Sequence, residues 1–437
     1  MRRFQLNREA ALAFFLMLWI VTLPAQGMAL ASGPAGKTVV ASDLAFLGVC
    51  VTLAAGGWQR MRRPRAVTAV VFAAPVFLTA IAVLAHPGPE ASLPVLRAGY
   101  SLAVLAVASH LRFSERDLVR ISVAWTCSAL AACAIALSAW LGVVWLGLPA
   151  GELARPDSGA LPGVVRLSGL MPANSLSLYI TVSSAFATFL ASSGGRLERR
   201  LGAASLALML AVAPLTASRG LMGLSVAVAL MLRSGACPEP WRRARSLAAL
   251  VAVVVLVSGI LATRLAVFPL TVERTASPVP RVSINTRPSV YSVLHTAALR
   301  LVRAEPLLGV GPGNFRRRFA DVVTVAEWGA TWPPFWMPRS GPDPHSAWLG
   351  SAAEGGLLTS GAWAVLFAVL ARRLLSGPRA RLASLLGAAL VGLVINGLHM
   401  DLFPLKFVWA AFGLGVAAAD TDAAGRGPRG HASGLAG

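Results

Sequence analysis

A single histidine marks the border between a long polar, arginine-rich segment and an apolar run of the sequence. This residue is His345, in the sequence PHSAWL of residues 344–349. An imidazole has an unperturbed pKa of about 6.5, so it can accept or release a proton at physiological pH. His345 could therefore act as a general base toward a hydroxyl group. The polar segment holds one other histidine, His295, with the same capacity.

Two arginines have a sequence context that suits phosphate binding. Arg219 lies in the short turn TASRG between two apolar runs, and Arg287 begins an amphipathic stretch. A guanidinium group can bind two phosphate oxygens at once, although an arginine beside lipid can also extend toward the headgroups. The tight turn favours phosphate binding at Arg219. For Arg287 a solvated charge is an equally good interpretation.

The residues around His345 predict no metal site and no other cofactor. The sequence has no histidine, cysteine or carboxylate at metal-ligand spacing from this residue. The carboxylates of the polar segment are scattered, although a fold could bring two of them together; they are Glu305, Glu327, Asp343 and Glu354. The four cysteines form neither a disulfide framework nor a zinc pattern.

Composition places these residues in a polytopic membrane protein. Hydrophobic residues make up 56% of the 437 residues, charged residues make up 13%, and the mean hydropathy is +0.68. These values are far from those of a soluble domain. The net charge of +21 comes almost wholly from arginine. In a membrane protein, basic loops set the orientation of the spans, so we predict no nucleic-acid partner.

We predict an all-α membrane protein with about twelve transmembrane helices. The spans lie near residues 10–31, 38–57, 66–85, 92–109, 118–147, 170–193, 200–216, 219–233, 246–267, 356–371, 382–398 and 402–419. Those near 92, 200 and 219 are the weakest, because Arg97, Arg219 and short lengths interrupt them. Basic residues are concentrated in alternate short loops, which places both termini in the cytoplasm. A cleaved secretory signal at the N-terminus is an open alternative that leaves the later orientation unchanged.

The spans divide the chain into four parts. Residues 1–267 hold spans one to nine, 268–355 form a large periplasmic loop with amphipathic helices, 356–419 hold spans ten to twelve, and 420–437 form a disordered cytoplasmic tail. Within the loop we expect helices at 289–303 and 314–327, the second with Asn314 as its N-cap. Long loops cross the membrane largely regardless of their charge, so the arginines of this loop do not contradict the orientation.

The residues around His345 resemble a known family pattern. His345 and Ser346, followed after nine residues by Gly356 and after two more by Thr359, are similar to the H-[NSQ]-x9-G-x2-[GTY] pattern of the O-antigen ligase family. The sequence EPLLGVGPGNF of residues 305–315 resembles the family's dnPLLGVGPGNF block.

Further segments agree with the same family. Residues 218–220 resemble its SRG turn, and Arg287 resembles the arginine that precedes the block. Arg166 begins a stretch similar to its R-x-x-G…P-N pattern, although Ala173 separates the proline from Asn174. The resemblance covers residues 160–420.

The resemblance implies a metal-independent glycosyltransferase of the GT-C type in a bacterial inner (plasma) membrane, with its active site on the periplasmic face. Its donor would be a glycan linked to undecaprenyl diphosphate within the membrane lipids. Arg219, Arg287 and Arg166 would bind the diphosphate, and His345 would orient or deprotonate the acceptor hydroxyl. Supporting positions are Asn174, Ser346 and Glu354.

The sequence leaves both the acceptor and the reaction class open to alternatives. A lipopolysaccharide core sugar is the favoured acceptor, as in a ligase. A carrier-linked glycan, as in a polymerase, and a serine or threonine of a protein are the others. A transporter of lipid-linked glycans or ions is the alternative of a different class. No internal repeat is visible in the sequence, which argues against a transporter.

Overall fold

The computed structural model describes residues 2–27, 29–32, 38–55, 61–62, 66–88, 92–149, 165–233, 270–273, 281–284, 290–331, 342–376 and 381–424. Six helical segments in these ranges are long and apolar enough to cross a membrane: Thr68–Ala85, Ser92–His110, Glu115–Leu146, Ala173–Ser193, Arg196–Thr216 and Ala347–Leu375. The chain is therefore an all-α membrane protein with short ribbons of β-structure outside its helices.

The described part of the first 233 residues forms one series of α-helices. They are α1 (Arg2–Thr22), α2 (Ala41–Ala54), α3 (Ala66–Ala85), α4 (Ser92–His110), α5 (Glu115–Leu146), α6 (Ala173–Ser193), α7 (Arg196–Val212) and α8 (Gly220–Arg233). Helix α5 shows why they begin and end where they do. Ser114 Oγ accepts a hydrogen bond from Asp117 N (3.2 Å), and the Asp117 carboxylate accepts one from Ser114 N (3.0 Å). The helix ends at Gly147, whose φ is 64°.

The described part of the later chain forms a second series of helices. They are α9 (Val290–Ala304), α10 (Phe315–Val322), α11 (Val325–Gly329), α12 (Ala347–Leu375), α13 (Arg381–Asn396) and α14 (Lys406–Ala424). Helix α13 packs against α6, α8, α12 and α14. It approaches α8 so closely that a Cβ added to Gly223 would overlap the carbonyl oxygen of Gly392. Small residues at such a crossing let two membrane helices come into backbone contact.

Aromatic side chains fill the interior between α5, α6 and α14. Trp125 stacks on Phe186 with the ring centroids 4.4 Å apart, and Tyr179 meets Phe407 edge to face at 5.1 Å. The indole of Trp125 donates a 3.0 Å hydrogen bond to Ser183 Oγ, which satisfies its one polar atom. This packing makes α6 an interior helix of the bundle, with almost all of its residues buried.

The predicted spans agree with the helices in part. Each predicted span except the ninth overlaps a described helix, while the ninth, at 246–267, lies outside the described residues. The number of twelve stays a prediction. The first predicted span, 10–31, is too long, because α1 ends at Thr22 before the sequence LPAQG. Proline and glycine in that sequence do not continue an α-helix.

Two antiparallel ribbons were not predicted. Strand β1 (Ala29–Ser32) pairs with β2 (Thr38–Val40), and β3 (Leu270–Glu273) pairs with β4 (Arg281–Ile284). The second ribbon lies in the segment predicted as the large loop. Helix α14 continues to Ala424, into the predicted disordered tail, and residues 425–437 lie outside the described residues.

The helices predicted in the large loop are confirmed in one case and corrected in the other. Helix α9 matches the prediction at 289–303, whereas the predicted helix at 314–327 is broken into α10 and α11. Thr324 starts the second piece, because its Oγ1 accepts a hydrogen bond from Glu327 N at 3.2 Å. Asn314 occupies the N-cap position of α10, but its amide donates to Val310 O (3.1 Å) and caps no helix N–H.

Candidate functional site

A break in helix α12 sets the position of the loop before it. The backbone at Gly356 has φ 74° and ψ 177°, which no helix contains. A Cβ added there would overlap the backbone of Leu307, so only glycine fits both the dihedral angles and the contact. Backbone hydrogen bonds of 2.8–2.9 Å then join the turn of residues 305–311 to the helix on both sides of the break; the donor–acceptor pairs are Val310–Ala353, Gly311–Glu354 and Leu357–Pro306.

The N-terminus of α12 sets the position of His345. Ser346 is the N-cap: its Oγ accepts a hydrogen bond from Leu349 N (3.2 Å) and donates one to Gly397 O (3.2 Å). The preceding residue, His345, has a φ of 51°, a left-handed conformation that is uncommon for a residue with a side chain. The capped helix start therefore holds the histidine in a strained backbone position, a feature often found at functional sites.

Arg219, Tyr291 and His345 form a chain of contacts. The guanidinium carbon of Arg219 lies 3.7 Å from the centroid of the Tyr291 ring, a cation–π contact. The Tyr291 ring meets the imidazole of His345 edge to face, with the centroids 5.5 Å apart. The turn before α8, the first turn of α9 and the residue before the cap of α12 thus converge, although they are far apart in the sequence.

The charge of Arg219 has no carboxylate partner in the described parts of the chain. Burial lowers the pKa of its guanidinium, contact with Tyr291 raises it, and the charge of Arg166 lowers it again. A charge that is withdrawn from water is costly unless an opposite charge compensates it. The region around Arg219 is therefore suited to bind an anion.

Arg166 and Asn174 hold the turn that carries Arg219. Arg166 Nη2 donates a 2.6 Å hydrogen bond to Asn174 Oδ1, and its Nε donates one of 2.9 Å to Thr216 O. Ser218 Oγ donates to the same Asn174 oxygen at 3.0 Å. The amide of Asn174, in the first turn of α6, thus positions Arg166 directly. It positions Arg219 indirectly, through the adjacent Ser218.

Two further histidines lie near Arg219. The rings of His295 and His399 are stacked with their centroids 6.3 Å apart. His295 Nε2 and His399 Nδ1 are buried and have no hydrogen-bond partner among the described residues. Burial, with the charges of His399 and Arg219, lowers the pKa of His295 to about 4; burial and Arg219 also lower the pKa of His399. Both rings are thus neutral at pH 7.

His345 is also neutral near pH 7. Burial lowers its pKa, the carboxylate of Asp343 raises it, and the charges of Arg219 and Arg316 lower it. The net effect is a pKa below the usual value. A neutral imidazole has a free lone pair on one nitrogen, which is what a general base requires.

A cavity of about 460 Å³ opens beside His345. Its charged lining residues are Arg97, Arg316, Asp343, Glu354 and Asp401. Partial withdrawal from water and the negative charge of Asp343 raise the pKa of the Asp401 carboxyl to about 6. Thr359 also lines this cavity, and its Oγ1 is buried without a hydrogen-bond partner in the described part of the chain. The cavity has the size of a small-molecule site and polar groups suited to hydroxyls.

The structure brings some of the predicted site residues together and gives others a structural role. Arg219, Arg166 and His345 lie in one region, with Asn174 bonded to Arg166. Arg287 lies outside the described residues. Ser346 caps α12, and Glu354 Oε1 accepts a hydrogen bond from Phe315 N at 3.2 Å, which holds the start of α10. Among the described residues, no group of three or more His, Cys, Asp or Glu side chains is arranged to hold a metal ion. The predicted independence of metals stays a prediction.

No role was predicted from the sequence for Tyr291 or for His399. The one signal for Tyr291 was its position in the first turn of an amphipathic stretch that also holds His295, with a spacing of four residues that places both on one helix face. Its contact with Arg219 spans 72 residues, so no local pattern reveals it.

Comparison with known proteins adds no family to these observations. No protein-family model matches the chain, and no curated protein gives a significant match to it. The function must therefore be argued from the site.

Proposed function

We propose that the protein is an O-antigen ligase-like glycosyltransferase, which moves a glycan from undecaprenyl diphosphate to an acceptor hydroxyl. The observation that carries the proposal is the guanidinium of Arg219, which has no carboxylate partner among the described residues and lies 3.7 Å from the Tyr291 ring, itself in contact with His345. An anion-binding group and a neutral base thus both contact one aromatic ring. Transfer from a diphosphate to a hydroxyl can use such a pair of groups without a metal ion.

The donor diphosphate would bind at Arg219. When the bond between the sugar C1 and the diphosphate oxygen breaks, its electron pair leaves with that oxygen, and two-pronged contacts from arginine stabilise the growing negative charge. Arg166 is the nearest second cation, and we propose Arg287 as a third. The unsatisfied nitrogens of His295 and His399 would complete the polar lining around the phosphates.

The acceptor would enter the cavity beside His345. The acceptor oxygen forms a bond to the sugar C1 while its proton passes to the neutral imidazole, so the charge on the acceptor stays low during the reaction. Thr359 and the carboxyl groups of Asp343 and Asp401 offer hydrogen-bond partners for the other hydroxyls of a saccharide. We propose a lipopolysaccharide core sugar as the acceptor. A carrier-linked glycan and a protein serine or threonine are the other acceptors to be tested.

The reaction also requires a defined position in the membrane. We propose twelve spans in a GT-C-type bundle, a bacterial inner (plasma) membrane, and cytoplasmic termini. The segment 268–355 would then face the periplasm, where the polyprenyl donor presents its diphosphate at the lipid surface. A site at the edge of membrane helices suits a donor that remains dissolved in lipid.

A reconstituted transfer assay tests the proposal. The purified protein, in lipid nanodiscs with EDTA, would receive a glycan on undecaprenyl diphosphate and a lipopolysaccharide core acceptor. We expect release of undecaprenyl diphosphate together with a glycosylated acceptor. Arg219→Gln should reduce the rate by about 10²–10³-fold, the cost of removing one charge-stabilising donor from a transition state.

The other outcomes identify the alternatives. Activity that EDTA abolishes and Mg²⁺ or Mn²⁺ restores would overturn the metal-independent mechanism. Movement of the intact donor across proteoliposomes, with no cleavage of the diphosphate bond, would replace the transferase by a transporter. Glycan profiles of cells lacking the gene would separate core-linked, carrier-linked and protein-linked products, and so identify the acceptor.

A further inference from the structure

An apolar groove between α3 and α4 lies apart from the site described above. Its volume is about 1210 Å³, and large side chains such as Phe72 and Phe77 of α3 and Leu102 of α4 line it. Both helices belong to the segments that are long and apolar enough to span a membrane. A Cβ added to Gly99, which also lines the groove, would meet no atom within 4 Å, so the groove is open at that position.

Basic side chains close one end of the groove. Arg62, His110 and Arg112 line it there, and Arg62 is also close enough to Arg112 and Arg373 for their charges to repel. Asp420 lies 2.9 Å from Arg62 Nη1 and 3.0 Å from Arg373 Nη2. Arg112 is exposed and forms no ion pair with a described residue. In the described part of this cluster, Arg62 and Arg373 therefore share the carboxylate of Asp420, whereas Arg112 does not contact it.

Asp420 compensates the charge of Arg62 only in part. Arg62 Nη1 is buried and lies 2.9 Å from the Asp420 carboxylate, yet the two groups are not aligned as donor and acceptor in a hydrogen bond. The positive charges of Arg112 and Arg373 also act on Arg62. A further anion at the groove end, beside the exposed guanidinium of Arg112, would reduce this repulsion.

The length of the groove fits one leaflet of a bilayer. Its lining on α4 runs from Gly99 to His110, a rise of about 17 Å in an α-helix, and Arg112 lies just beyond the end of that helix. The hydrocarbon core of a bilayer is about 30 Å thick, so one leaflet contributes about 15 Å, and the headgroup lies beyond it. The arginines at one end are thus at headgroup depth when Gly99 is near the middle of the bilayer.

We propose that this groove binds an anionic diacyl phospholipid, with its phosphate between Arg62 and Arg112 and its acyl chains along α3 and α4. The apolar walls match the chains, and the basic end of the groove at Arg62 and Arg112 matches the headgroup. The bound phosphate bridges the segment before α3 and the end of α4, and by its charge it also acts on Arg373 near the end of α12. With the orientation proposed above, this lipid belongs to the cytoplasmic leaflet, on the face of the membrane opposite His345.

Native mass spectrometry with added lipids tests this site. The full-length protein would be stripped of lipid by detergent exchange and titrated with phosphatidylglycerol or with zwitterionic phosphatidylcholine, while its thermal midpoint is recorded. We expect one phosphatidylglycerol to be retained in preference and to raise the midpoint. Arg62→Gln and Arg112→Gln should each weaken its retention about fivefold, since each basic residue near anionic lipid contributes a factor of that order.

Two matched variants separate this site from ordinary lipid contact. Gly99→Leu fills the open groove without meeting the backbone and should reduce retention of phosphatidylglycerol even though every arginine is present. Arg116→Gln removes an exposed arginine in the first turn of α5 that does not line the groove, and it should retain the lipid as the unaltered protein does.

Three results would overturn the inference. The first is equal retention of both lipids by the unaltered protein, which indicates annular lipid only. The second is an equal loss in the Arg116 variant, which indicates a diffuse charge effect. The third is full stabilisation by inorganic phosphate alone, which indicates an anion site without a place for the chains. A transferase assay is not involved, so failure of this inference leaves the proposed function unaffected.

Discussion

Arginines at two edges of this protein have different surroundings, and the difference decides what each group can bind. Arg219 is partly buried, contacts Tyr291 at 3.7 Å and lies among three histidines. Arg112 is exposed at the open end of a groove, where Arg62 and Arg373 share the carboxylate of Asp420. Charges interact more strongly where water is excluded, so Arg219 should attract an anion more strongly than the exposed Arg112, whose charge is partly screened by solvent.

The comparison teaches that the number of arginines is a poor guide to their function. The partners of each guanidinium matter more: an aromatic ring and neutral imidazoles orient Arg219 without neutralising it, whereas Asp420 neutralises part of its cluster. The first arrangement leaves the charge of Arg219 available to the proposed diphosphate. The second leaves the charge of Arg112 available to the proposed lipid.

His345→Ala should have the largest effect, a loss of about 10²–10⁴ in the transfer rate, because it removes the proposed general base. Protein abundance in the membrane and the thermal midpoint should stay near normal, since Ser346 still caps α12. The reconstituted transfer assay measures the rate. Turnover near that of the unaltered protein at equal abundance would refute the role of the imidazole.

Arg219→Lys and Arg112→Lys are a matched pair. A lysine keeps the charge but not the two-pronged geometry, so Arg219→Lys should slow transfer about tenfold or more. Arg112→Lys should change retention of phosphatidylglycerol by less than about twofold, because a point charge near lipid is sufficient there. If the two conservative changes had effects of the same size, the contrast between the two regions would be lost.

Tyr291→Leu and Tyr291→Phe measure the aromatic support of Arg219. The leucine variant removes the cation–π contact, worth about 0.5–2 kcal/mol, and should slow transfer from about twofold to thirtyfold. The phenylalanine variant keeps the ring and loses only the hydroxyl, so its rate should lie between those of the leucine variant and the unaltered protein. Equal rates in both variants would assign the effect to the hydroxyl instead of the ring.

The pH dependence of transfer should show a loss on the acid side. Because the pKa of His345 is lowered by burial, its neutral form persists below pH 6.5, and activity should fall only when the pH drops through that lowered value. Asp401, whose pKa is about 6, titrates in the same range. In the Asp401→Asn variant the acid loss should remain at the same pH. A loss that disappears in this variant would belong to Asp401.

A labelling experiment tests orientation without any effect on rate. Single cysteines at Gly329 and Ser376, both exposed, would be placed in a background lacking the four native cysteines. A membrane-impermeant thiol reagent should label position 329 in intact spheroplasts and position 376 only after lysis. The reverse pattern would put His345 in the cytoplasm and remove the proposed donor from its reach.

The sequence was sufficient for the apolar helices but not for their ends. Hydropathy located α3 at 66–85 as it stands in the structure, because Arg65 and Pro87 flank a continuous apolar run. It missed the true start of α12, because a window that measures apolarity cannot detect a helix whose first nine residues include Ser351 and Glu354. The cap at Ser346 starts that helix, and the break at Gly356 is where the predicted span began.

Residues of the candidate site could be predicted from the sequence only where they belong to a short local motif. His345 and Arg219 stand in short motifs, and both were identified. Tyr291 and His399 were not assigned, because their functional contacts arise from the packing of α9 against the segments around α8 and α13. A tyrosine in an amphipathic helix has many ordinary uses, and only its 3.7 Å approach to a guanidinium distinguishes this one.

The capped and broken helix α12 also changes what the sequence pattern that begins at His345 means. Two positions of this pattern have structural roles. Ser346 caps the start of α12, and Gly356 leaves room for the backbone of Leu307. Only the histidine offers a group that can exchange a proton. Inheritance of the scaffold and inheritance of the reaction are therefore separable. A descendant could keep the serine and glycine, replace the histidine, and present a new side chain at the same place for a different reaction.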